Sequence, residues 1–218
     1  MPRASKQQTQ KHRLAITDAS ARMMRERGIH GVTVSDLMAA AGLTHGGFYG
    51  HFESKETLAG EACTQAFTES LRRWKQRVAA QPDRASAFLS LAEGYLSTRS
   101  RDTPGASCPT TALACDVARE PSDSPLRAAF VGGTRQLIEV LASLQNGDDA
   151  AADRREALAQ FATMVGAVIL ARATAGDALS DELLSAAREK LDRGGAQSGD
   201  ATGGRPRAGT VNSTAQGS

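Results

Sequence analysis

The sequence predicts an all-α fold: an N-terminal three-helix unit containing a helix-turn-helix, then a larger helical domain, about nine helices in all. Three observations predict it. Alanine is abundant and aromatic residues make up only 4% of the 218 positions, a balance that favours helices over sheets. Apolar residues recur at three- and four-residue spacing along most of the chain, and no run alternates as a strand would. Proline, glycine and Asp/Ser clusters cut this pattern into helix-length pieces.

The pieces follow in order. Residues 12–27 place Ile16, Ala19, Ser20, Met23 and Met24 on one helical face, and Gly28 suits the stop. Thr33 and Asp36 have the spacing of an N-terminal cap for a helix over 34–41. Gly42 interrupts, and Thr44 would cap a short helix over 45–51. Ser54 would cap a long helix over 55–80, ended by Pro82. One helix is predicted over 83–101, a loop at 102–105, and a helix over 109–119 with Pro109 in its first turn. After the break at 120–125 come helices over 126–144 and 151–175, and Ser180 would cap a last one over 181–191. The resulting division is a disordered basic arm (1–11), a helix-turn-helix unit (12–54), a helical body (55–192) and a Gly/Ser/Thr-rich disordered tail (193–218).

Composition narrows the function classes. No window approaches the roughly 18 consecutive apolar residues of a membrane helix, and residues 1–11 lack the apolar core of a secretory signal. Three widely spaced cysteines do not form a disulfide framework, so a reducing cytoplasm is expected. All four histidines (His12, His30, His45, His51) fall in the first quarter. No metal-ligand spacing, phosphate-binding glycine loop or Ser/His/Asp set is apparent, so no enzyme activity, metal or cofactor is expected. The net charge is only +2, but residues 1–27 hold seven Lys/Arg against Asp18 and Glu26, a local excess that suits a polyanionic partner or a solvated arm.

Function is carried by residues 33–52, TVSDLMAAAGLTHGGFYGHF. Two short helices joined at Gly42 make a helix-turn-helix, whose second helix enters a major groove. Leu37, Met38, Ala41, Leu43, Phe48 and Phe52 would pack beneath it. Thr44, His45, Tyr49, His51 and Lys55 would offer hydrogen-bond donors to phosphate oxygens. The alternative is a helical hairpin in an interaction or scaffold protein, without salt-sensitive DNA affinity.

The pattern Ile16-Thr17-Asp18-Ala19, Gly28, Thr33 to Leu37 and Ala41 through Leu58 resembles the DNA-binding signature of the TetR family of repressors. The resemblance covers residues 12–65 and implies that Thr33, Thr44, Tyr49, His51 and Lys55 contact phosphates while His45, Gly46 and Gly47 lie nearest the bases. Many members carry a larger or charged residue where Gly47 stands, so base readout here would rest on His45. It further implies a homodimer on a palindromic stretch of double-stranded operator DNA, and release by an effector. The dimer would form through the last two helices, with Phe161, Met164, Val165, Val168 and Ile169 as the apolar stripe, unless that stripe only fills the monomer core. A pocket between the middle helices, with Phe88, Leu91, Tyr95, Leu113, Phe130 and Met164 as lining candidates, would hold an unidentified small molecule.

Cys108 is the remaining feature. With Pro109 at the first helical position it becomes the N-cap, where free N–H groups and the helix dipole favour a thiolate. A TetR subgroup with a cysteine before this helix senses electrophiles or oxidants, and Cys108 resembles that arrangement. It is either a regulatory thiol or a small packing residue, while Cys63 and Cys115 are expected in the core.

Overall fold

The computed structural model describes the backbone of residues 2–199 and the side chains of residues 5–193. All regular structure among them is helical, in nine α-helices and two short 3₁₀ turns. The N-terminal head consists of α1 (Pro2–Arg27), α2 (Val34–Ala40) and a 3₁₀ turn (His45–Gly50). α3 (Lys55–Ala79) runs from the head into a body made of α4 (Arg84–Tyr95), α5 (Thr98–Asp102), a 3₁₀ turn (Pro104–Ala106), α6 (Pro109–Val117), α7 (Pro125–Ala142), α8 (Ala150–Ala173) and α9 (Ala178–Gly199). α3 packs on α1 and lies along α7. One buried apolar cluster therefore extends from Ile16 and Phe48 through Leu58 and Trp74 to Phe161 and Leu184.

Several expected boundaries shift for local physical reasons. The arm expected to be disordered is helical from Pro2, because proline is tolerated at a first helical position and the Ala, Lys and Gln that follow propagate a helix well. At the other end α9 starts at Ala178, three residues early, since Asp177 accepts from the Leu179 N–H at 2.9 Å. Ser180, expected as the cap, is buried inside the helix and donates to the Ala171 carbonyl at 2.7 Å. The helix continues through Gly199 past an Arg193–Glu189 pair, so the first part of the expected disordered tail is helical, and residues 200–218 lie outside the described residues.

The single helix expected over 83–101 is two. Ser97 donates to the Gly94 carbonyl at 2.9 Å and accepts from the Ser100 N–H at 3.1 Å, so one hydroxyl ends α4 and starts α5. The stripe assigned to dimerisation also divides. Phe161, Met164 and Val168 turn into the monomer core, while Val165 and Ile169 stay half-buried beside exposed Leu158 and Ala162. Alanine makes α8 apolar enough, by length and composition, to cross a membrane, contrary to the sequence expectation. One of its faces packs against α7 and α9.

Head and body are clamped by Arg25. This α1 side chain is only 6% exposed. Its Nε donates to the Ala21 carbonyl at 2.8 Å and Nη1 to the Ser107 carbonyl at 3.0 Å, just before α6. Glu69 of α3 approaches the remaining nitrogen at 3.9 Å. Burial lowers the basicity of this guanidinium, and Glu69 partly restores it. A second tie joins the end of α1 to α6, where the Asp116 carboxylate accepts from the Ile29 N–H at 2.9 Å. Replacing Arg25 with Ala removes a charged donor and leaves buried acceptors bare, so it is expected to cost about 2–4 kcal/mol. A urea titration measures this. A wild-type midpoint in Arg25→Ala would remove the clamp from the account.

Candidate functional site

The reading head is built around two local devices. The first is the cap of α2. The Thr33 hydroxyl accepts from the Asp36 N–H at 3.1 Å, and the Asp36 carboxylate accepts from the Thr33 N–H at 2.8 Å. The Thr33 hydroxyl also donates to that carboxylate at 2.6 Å, and this bond first, then the one from the Thr33 N–H, holds the Asp36 carboxyl below its ordinary pKa. The second device is the turn. The Leu43 N–H reaches the Met38 carbonyl at 2.9 Å and the Gly42 N–H reaches Ala39 at 2.9 Å, a Schellman motif with Gly42 at φ +71°. A side chain at 42 would be strained in that conformation, so glycine is required for the turn between the two helices.

Beyond the turn the backbone forms a 3₁₀ helix over His45–Gly50, not the α-helix expected. Thr44 occupies the N-cap position without a side-chain cap bond, and Gly46, Gly47 and Gly50 weaken any longer helical run. Phe48 anchors the turn. It is fully buried, stacks on Phe52 at 5.8 Å and meets the Tyr49 ring edge-on at 5.2 Å. Arg13 of α1 secures the far end. Its guanidinium lies 4.2 Å over the Phe52 ring, donates to the His51 carbonyl and pairs with Glu61.

The expected contact residues are exposed to different degrees. Thr44, His45, Gly46 and Tyr49 are exposed, Tyr49 at 72%. Gly47, His51 and Lys55 are half-buried, and the His51 ring sits against His12 at 5.9 Å. Thr33 is exposed, but its hydroxyl is already engaged in the cap. Nothing lies within 4 Å of where a Cβ would stand on Gly46 or Gly50, and only the Met38 methyl, at 3.6 Å, faces one on Gly47.

Residues 16–62 match the family model of bacterial regulatory proteins, tetR family. The HTH-type transcriptional repressor KstR2 of Rhodococcus jostii (strain RHA1) is 30% identical over 79 residues, 36% of this chain and 39% of the repressor. The alignment thus spans about two fifths of that relative's length. Over residues 16–62 the chain is thus similar to the tetR family. Likeness of fold extends further. A TetR transcriptional regulator from Chloroflexus aurantiacus J-10-FL superposes with a TM-score of 0.71 at 27% identity, over 86% of this chain and 95% of that one. The reduced form of E. coli NemR superposes with a TM-score of 0.70 at 20% identity, over 84% and 95%.

Behind the head lies a cavity of about 240 Å³ between α3, α4, α5 and the loop entering α6. Of the six lining candidates, Leu91 and Tyr95 face it. Phe88, Leu113 and Met164 are buried in the core, and Phe130 packs edge-on against Phe67 at 5.7 Å. Periodicity marks all six as apolar-face positions and cannot separate a cavity wall from a filled core. Cys108 is the N-cap residue of α6 and also faces the cavity, with no cap bond from its side chain. Arg25 and Arg172 both lie within electrostatic reach of its thiol. Arg172 is itself fixed by the Ser100, Thr111 and Arg101 carbonyls at 2.8, 3.0 and 3.2 Å.

Sequence reasoning missed Arg25 and Asp116, which tie the head to the body, Arg13, which secures the turn, and Arg172, which ties α8 to α5 and α6. The signal present was weak: a charged residue flanking the apolar face of a predicted helix. It also misplaced Cys115, which is exposed because α6 turns that side outward. Cys63 is in the core as expected, and burial pushes its thiol up to about 12. At pH 8 its thiolate fraction is roughly 10⁻⁴. In a Cys115→Ser protein, iodoacetamide is therefore expected to alkylate Cys108 through the cavity while Cys63 stays unmodified. Peptide mass spectrometry reads the order, and equal rates at the two sites would contradict it.

Proposed function

We propose that this protein is a homodimeric transcription regulator that binds a palindromic DNA operator and is released from it by a small-molecule or electrophile signal. The observation that carries this reading is the exposed recognition turn His45–Gly50, held rigidly by Phe48, Gly42 and Arg13 in a segment that matches the tetR family. A turn that only filled a helical hairpin would not need Tyr49 and His45 facing water. In this reading Thr33, Thr44, Tyr49, His51 and Lys55 meet phosphates, and His45, Gly46 and Gly47 approach base edges.

Dimerisation is supported by an unpartnered apolar stripe on α8. Leu158, Ala162, Ile169 and Ala173 share a face at helical spacing, each exposed or half-buried. Exposed Leu179 extends the surface onto α9. A two-fold pairing across this surface would set two heads on two half-sites.

The signal reaches the head through contacts already described. Ser107 and Cys108 adjoin the cavity, Ser107 is held by Arg25, and Asp116 at the other end of α6 holds the Ile29 N–H. A ligand or a covalent adduct on Cys108 that favours a different seating of α6 would shift α1 and the turn with it. The shift is limited by its differential affinity for the two seatings.

Three substitutions test DNA recognition. Tyr49→Phe and Lys55→Ala should weaken binding to every duplex, with Lys55→Ala reducing the salt dependence by about one counterion. His45→Ala should change the sequences recovered from a random duplex pool. Unchanged affinity and selection in all three would overturn the placement of the turn. Ala162→Glu, at an exposed position, should leave the fold intact and yield a monomer in light scattering. A dimer of undiminished stability would move the interface elsewhere.

A further inference from the structure

We propose that the cavity beside Cys108 binds a small organic anion, a compact ring bearing a carboxylate or phosphate, and that Arg73, Arg77 and Arg99 receive its charge. On the regulator reading above, on which this assignment rests for its biological role, that anion is the effector. The floor and the mouth of the cavity differ in chemistry. Trp74, Leu91 and Tyr95 are buried and form an apolar floor, whereas the three arginines line the cavity and reach solvent. No carboxylate lines it among the described residues.

The charge around the mouth is unbalanced. Glu69 stands 3.8 Å from Arg73 and 3.9 Å from Arg25, so one carboxylate serves two guanidiniums. Among the described residues neither Arg77 nor Arg99 has a carboxylate within salt-bridge distance. Arg73 and Arg77 are also four apart on one helix, a spacing at which like charges repel. Arg77 is nonetheless fixed there. It donates to the Ser90 carbonyl at 2.8 Å and lies across Gly94, where any Cβ would collide with the guanidinium. A cation held in place beside uncompensated cations is pre-organised for an anion.

The floor supplies a second, independent pointer. Tyr95 is 5% exposed, and the weakly accepting thiol of Cys108 lies beside its hydroxyl, with no oxygen or nitrogen among the described residues bonded to it. A thiol satisfies a buried hydroxyl donor poorly, and an oxygen of a bound ligand would satisfy it better. The volume of about 240 Å³ suits one ring with its substituent rather than an extended chain. DNA phosphates do not account for these arginines. Arg73 lies eighteen residues along α3 from Lys55, about 27 Å at the rise of an α-helix.

The test is calorimetry and thermal denaturation of the full chain, without DNA and at constant ionic strength, using benzoate and phenyl phosphate against neutral benzamide. The anions should bind and raise the melting temperature, and benzamide should do neither. Arg77→Gln combined with Arg99→Gln, both at exposed positions, should weaken anion binding at least tenfold. Gly94→Ala, which pushes the Arg77 guanidinium aside, should weaken it several-fold, and Tyr95→Phe likewise. Absence of anion binding, equal response to benzamide, or undiminished binding in the double variant would overturn the assignment. Gel shifts of the ligand-free protein on duplex DNA separate the two readings: DNA binding without anion binding refutes only this site, and anion binding without DNA binding refutes only the regulator.

Discussion

A guanidinium buried to the depth of Arg25 must find acceptors, because an unpaired charge in a protein interior costs several kcal/mol. Arg25 finds its acceptors on three elements at once: α1 itself, the loop that opens α6, and α3. The rest of the architecture is arranged around that requirement. Gly105 in the neighbouring 3₁₀ turn leaves room for Glu26, where a Cβ would collide with its carboxylate, so the loop can lie close along α1. Gly28 then ends α1 in a left-handed conformation and delivers the Ile29 N–H to Asp116. The head is thus fastened to both ends of a nine-residue helix, while α3 carries the main apolar load between head and body.

Such fastening makes α6 a lever rather than a filler. Its N-terminus borders the cavity and its C-terminal half touches the chain leading into α2. Any event that moves one end has a short, hydrogen-bonded route to the other, and few side chains need to repack on the way. Arg172 limits the alternatives, since its three carbonyl bonds hold α5 and α6 to α8. Under the proposed function, regulation and stability therefore share the same groups. That overlap is common where a buried polar network specifies one arrangement out of several that would pack equally well.

What the sequence disclosed was local. The cap at Thr33 and Asp36, the glycine at 42, the serine before α3 and the proline opening α6 each depend on neighbours within a few positions. Contacts that join remote segments were not legible. Arg25 and Ser107 are 82 residues apart, and nothing near either one announces the other. Faces of an almost wholly apolar helix were equally opaque. Along α8, Phe161, Met164 and Val168 point to the core and Leu158, Ala162 and Ile169 are more exposed, yet both sets repeat at helical spacing. The arginines of the cavity mouth escaped because charged residues on helices are ordinarily solvated, and only their convergence from α3 and α5 gives them meaning.

The three glycines of the recognition turn leave its outer face nearly bare. None of them is at positive φ, and two have no neighbour near the missing Cβ. Serine, arginine or aspartate could therefore stand at these positions without disturbing the scaffold. Under the proposed function, operator preference would be free to drift quickly while the fold beneath it stayed still. For the engineer the same bareness is an open keyboard: a small library at positions 46, 47 and 50 would sample new operators on an unchanged sensor.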